Sequence, residues 1–222
     1  MDSDEFKART TRAAFLTVGA LGLTLAAADA AGSSGEAAPA GRGAIEAILH
    51  KAARHKQVIA APKINSGAAL RYAGNTLNAF ETGFGEGPGT LHVACVFYGT
   101  ALFFVADDTL WSKYQLFDAL DRSGDALPLI VHSPQNPFYH SHVSRTGEDF
   151  TVEALTKRSV TWFVCNNALN GITRSLAQQR GLDPLAVYAD FRAHFVPGTT
   201  VVPSGTGTIV LAQEAGFTFL PA

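Results

Sequence analysis

Cys165 ends an apolar run and opens a polar one in the stretch SVTWFVCNNALNG, residues 159 to 171. A cysteine in mid-strand is a small hydrophobe. One at a strand's mouth, facing a helix N-terminus, has unpaired N–H groups and the positive end of the helix dipole beside its sulfur, which favour the thiolate. Asn166 or Asn167 can cap the helix that follows. Such a thiolate can attack a sulfane sulfur, carry a persulfide or resolve a disulfide without an acid or base beside it in sequence. An inert core cysteine fits the same spacing equally well. The second of the chain's two cysteines, Cys95, lies in the middle of LHVACVF, on one face with Val93 and Phe97. Two cysteines in an exported chain invite pairing. If their strands flank the first strand, however, they stand roughly 10 Å apart, beyond disulfide reach, and two free thiols are expected.

Other chemistry is thinner. HSPQNPFYHSH places His132, His140 and His142 in one loop around Tyr139. A His-x-His pair binds zinc or copper when further ligands converge, but no cysteine or carboxylate is spaced to complete a set, so polar surface histidines are the expectation. GEGPGT and SGTGT match neither a Walker loop nor GxGxxG after a strand and read as turns, with Ser204 and Thr206 capping a helix from near Thr208. GxSxG and HExxH do not occur. No metal and no cofactor is expected. Asn75, Asn78, His92 and Tyr98 are assigned solvated or capping roles, with His92 and Tyr98 on one face of their strand.

These residues must be held by elements that the hydrophobic pattern defines. KQVIAAPKI (56 to 64) reads as a buried strand. The next segment repeats Leu70, Ala73, Leu77 and Phe80 at helical spacing and stops at Gly83. GTLHVACVFYG is nearly all apolar, as in a strand buried on both faces. Asp108 is placed to cap a single helix that runs to Gly124. The segment from Pro128 to Phe150 reads as a long loop, with a short strand at Leu129 to His132. SVTWFVC is a strand and NNALNGITRSLAQQRG a helix. Asp183 and Pro184 start a short helix, and a strand, a helix and a strand close the chain. Strands alternating with helices predict one α/β domain, a mostly parallel flavodoxin-like sheet with helices on both faces and reactive groups at the strands' carboxyl ends.

Composition limits the partners. With 17 Lys+Arg against 19 Asp+Glu, and no basic run interleaved with aromatics, nothing points to nucleic acid. Lys7, Arg9 and Arg12 precede an apolar segment from Ala13 to Ala28, which is signal-peptide order. TRAAFLT is similar to a twin-arginine export signal in which Ala13 replaces the second arginine. The expected organisation is a signal peptide at 1–30, a flexible linker at 31–44 and one domain at 45–222, exported to the periplasm or beyond. No stable membrane span is expected after leader cleavage; an uncleaved leader would instead act as an anchor.

From about Gln57 to Leu220 the chain resembles the DsrE/DsrF-like sulfur-relay proteins. The resemblance rests on VTWFVCNNALNGI, on LHVACVFYGTAL, and on the closing TTVVPSGTGTIVLAQEAGFTFLPA. It implies a flavodoxin-like fold, a trimeric or hexameric assembly, and a persulfide carried on Cys165, exchanged with a sulfur-carrier protein or a small sulfur compound. The alternative is a non-enzymatic oligomeric binding or assembly module that does not use the cysteine.

Overall fold

The computed structural model describes residues 38–125, 133–142 and 147–222. The expected leader, the start of the linker, the strand expected at Leu129 to His132, and His132 itself lie outside them. Five strands form the sheet: β1 (His55–Ala61), β2 (Leu91–Phe97), β3 (Thr161–Cys165), β4 (Thr199–Val202) and β5 (Thr218–Pro221). All pair in parallel, in the order β4-β3-β2-β1-β5. The flavodoxin-like α/β class therefore stands, with a sheet parallel throughout.

β2 is buried at every position, His92 included, as its nearly continuous apolar run requires. One face of the sheet carries α2 (Ala68–Asn78), a 3-10 helix (Gly99–Val105), α3 (Asp108–Tyr114), α4 (Leu116–Ser123), α5 (Val152–Lys157), α6 (Asn166–Arg180) and α7 (Pro184–Ala193). Among the described residues, the other face carries only α1 (Arg42–Leu49) and α8 (Gly205–Glu214). Topology explains this inequality. The chain steps β1 to β4 in one direction across the sheet, so right-handed crossovers put every intervening helix on one side. The return from β4 to β5 runs the opposite way and places α8 on the other.

Several expectations need correction. Arg42, Gly43 and Ala44 belong to α1 rather than to the linker, and the Ala40 N–H already donates to Val201 O at 2.8 Å. Composition hid this, because Gly and Ala dominate a short segment whose buried contacts are Ile45 and Leu49. Asp107, not Asp108, caps α3 by accepting from Leu110 N at 3.1 Å. The single helix expected to run to Gly124 breaks at Gln115, which adopts φ +44°. Arg180 Nη2 donates to Tyr114 O at 2.6 Å, occupying a carbonyl at that break. α5 was not expected: its six residues are too few to show a period, and Thr151 caps it from the end of the long loop. Phe150 packs directly on α2, where a Cβ on Gly74 would stand 2.0 Å from its ring.

Candidate functional site at the end of β3

Strand and helix meet at Cys165 without a connecting residue: β3 ends there and α6 begins at Asn166. Cys165 is itself the N-cap residue of α6, and no side chain caps that helix. The expected asparagine caps are therefore absent. Asn166 is already inside the helix, and its Oδ1 accepts from Tyr188 Oη at 2.6 Å. The first-turn N–H groups of α6 thus lack a side-chain acceptor beside the sulfur-bearing residue.

The two faces of the sheet decide what surrounds the sulfur. Trp162 and Val164 point to the many-helix face, where Trp162 stacks on Phe97 at 5.7 Å and donates from Nε1 to Thr156 Oγ1 at 2.8 Å. Alternation sends Phe163 and Cys165 to the face of α1 and α8. Cys165 pairs in register with Val202. Two residues further on, Ser204 caps α8, with Gly207 N donating to its Oγ at 3.3 Å, in line with the capping role expected of it. Gly205 opens α8 so close to β3 that an added Cβ would lie 3.1 Å from Cys165 Cβ. Trp162 and Leu169 belong to the core on the opposite face. Cys165 is 7% exposed.

Cys95 is fully buried on the many-helix face, and that burial pushes its thiol far above the ordinary range. Both cysteines are free. The reason differs from the expected one, because β2 and β3 do not flank β1 but pair directly, with Cys95 opposite Trp162. The thiols stay apart because they project from opposite faces and Cys165 lies three residues beyond Cys95's partner.

Neighbouring strands β3 and β4 send their chains to opposite faces, β3 into α6 and β4 into α8. In a parallel α/β sheet this divergence opens a crevice at the carboxyl ends, where such folds bind ligands. The sequence located Cys165 at a strand end; only the strand order places it at this divergence.

The histidine loop is built differently. His140 Nε2 contacts Asp108 Oδ2 at 2.7 Å, and His142 Nδ1 contacts the carbonyl of His140 at 3.1 Å. Among the described residues no three His, Cys, Asp or Glu side chains converge on a metal position. Asn136 fixes the loop: its buried Nδ2 donates to Ala106 O at 2.7 Å and Phe104 O at 2.9 Å, and its Oδ1 accepts from Phe138 N at 2.8 Å. Asp125 plays the same part at the end of β1, accepting from Ile64 N (2.7 Å), Asn65 N (3.1 Å) and Thr100 Oγ1 (2.5 Å). Neither residue was expected to matter. Asn78 Nδ2 donates to Glu148 Oε1 at 3.1 Å. His92 is buried rather than solvated, on the same face as Tyr98.

The sheet and its two helical layers define a single-domain, all-parallel α/β protein of flavodoxin-like type. No known family profile matches the chain, and no curated protein matches it. It is similar to a protein of unknown function, MTH1491 from Methanobacterium thermoautotrophicum, with a TM-score of 0.40 and 18% identity over 76% of this chain and 99% of that one. Among the described residues no helix is long and apolar enough to cross a membrane.

Proposed function

We propose that the protein is a DsrE-like sulfur carrier that holds sulfane sulfur as a persulfide on Cys165. One observation carries this reading: Cys165 ends β3 as the N-cap residue of α6, and Gly205, the first residue of α8, lies against its Cβ. Two helix N-termini meet at this position. The Cys165 thiolate attacks the terminal sulfur of a polysulfide. A Cys–S–S bond forms, the polysulfide S–S bond breaks, and the shortened chain leaves with the electron pair. An acceptor thiolate reverses the exchange by taking the outer sulfur. A trimeric or hexameric assembly and export through the 1–30 leader belong to the same proposal.

The low exposure of Cys165 favours a second reading, a binding or assembly module that ignores the thiol. Intact-protein mass spectrometry after polysulfide treatment separates the two. The carrier gains the mass of one sulfur atom, and Cys165→Ser does not. A chain left unmodified under conditions that load a control thiol sinks the carrier reading.

A further inference from the structure

A second cleft opens at the opposite end of the sheet, below the amino ends of β2 and β3. It has a volume of about 760 Å3 and is lined by Lys51, Glu81, Leu91, His92, Lys157 and Arg158, among others. The rule that ligands gather at carboxyl ends does not predict it, so its chemistry has to come from its own atoms.

His92 is the informative one. It is 7% exposed, and its ring meets the edge of Phe217 with centroids 5.0 Å apart. Nε2 lies 3.0 Å from Thr161 Oγ1, whereas Nδ1 is buried with no hydrogen-bond partner among the described residues. Buried polar nitrogens are rarely left this way, and an orphan on a cleft wall points to a missing partner. When the Thr161 hydroxyl donates to Nε2, the ring proton resides on Nδ1 and needs an acceptor. The charges around it say what kind. The Lys51 ammonium forms no ion pair or hydrogen bond among the described residues, its only bond being from the backbone N–H to Ile48 O at 3.4 Å. Arg158 Nη2 binds Glu81 at 2.8 Å, and Lys157 binds Glu153 at 3.0 Å in solvent. Of the three cations that line the cleft, two are thus already paired with carboxylates, and Lys51 is left as the one without an ion partner among the described residues.

We propose that this cleft binds an oxyanion of the phosphate or sulfate kind, free or carried on a small molecule, with His92 Nδ1–H as a neutral donor and Lys51 as the countercharge. Burial, then Lys51 and Lys56, keep the imidazole uncharged near neutrality, pulling its pKa down to about 4. Its donor is therefore present throughout the physiological range. The site is separate from Cys165 and does not depend on the sulfur-carrier reading.

The test is a titration of the 15N-labelled full chain with inorganic phosphate and, in a second arm, phenyl phosphate. Imidazole NMR signals and calorimetry are the readouts. Saturable binding that shifts the His92 Nδ1 resonance is expected, at least about tenfold weaker in Lys51→Ala and in His92→Phe, since each removes a charge-assisted contact. Tighter binding of phenyl phosphate identifies an ester as the source, and equal or weaker binding the free ion. No saturable His92 shift with either probe, or unchanged affinity in Lys51→Ala, overturns the proposal. Lys51 lies on the surface, so this second variant keeps the test decisive even if His92→Phe does not fold.

Discussion

Gly205 meets Cys165 at the junction of α8 and β3, where a methyl group on its α-carbon would stand 3.1 Å from Cys165 Cβ and 3.3 Å from Val96 Cγ1. Gly205→Ala should therefore overpack the junction, at a cost of about 1 to 3 kcal/mol. Thermal unfolding reads that loss. The rate of Cys165 alkylation in the folded protein should fall at the same time. A variant as stable and as reactive as the parent would show that the junction yields freely.

The thiols should differ in reactivity. Cys95 is fully buried, with its thiol held protonated, and Cys165 is the one with residual access. A disulfide reagent should titrate at most one thiol in the native state, lost in Cys165→Ser, and two after denaturation. Prompt labelling of Cys95 in folded protein would contradict the core arrangement.

His92 gives a pH dependence with a definite sign. Its pKa is about 4 in the fold against an ordinary value of 6.5. Between those values the unfolded chain binds the extra proton and the folded chain does not, so stability falls as pH drops from 6.5 to 4. The full effect is about 3 kcal/mol, present above pH 6.5 and gone by pH 4. His92→Phe should flatten that part of the denaturation-versus-pH curve. The carboxylates Asp149 and Asp190, whose pKa values are lowered, act further toward acid and should be unaffected.

Asp125 joins the turn after β1 to Thr100 through three accepted hydrogen bonds. Asp125→Ala leaves buried donors without acceptors and should cost about 3 kcal/mol, measured by denaturant unfolding. Thr100→Val removes one donor together with its need and should cost much less.

The sheet was legible because its strands are short, apolar and separated by helical periods. VIAA, HVACVFY and TWFVC cannot hide as loops. Cys165 was legible as a strand end for the same reason. The strand order was not, because neither face of an all-apolar strand says which neighbour it takes, and the wrong order led to the right conclusion about free thiols. Asp125 and Asn136 were invisible because most of their partners are backbone atoms far away in sequence and both stand in segments without a period. His92 carried a faint signal, one histidine heading an apolar strand, but only Thr161 and Phe217 show it to be inside.

The pairing of β1 with β5, which brings Gln57 opposite Thr218 and Leu220 beside Ile59, spans most of the chain. During synthesis the edge of β1 must wait, unsatisfied, until β5 emerges. Such late closure makes folding slow and leaves a sticky strand edge in every unfinished chain. Ribosome-bound chains halted before Thr218 should therefore bind chaperones, and emergence of β5 should end that dependence.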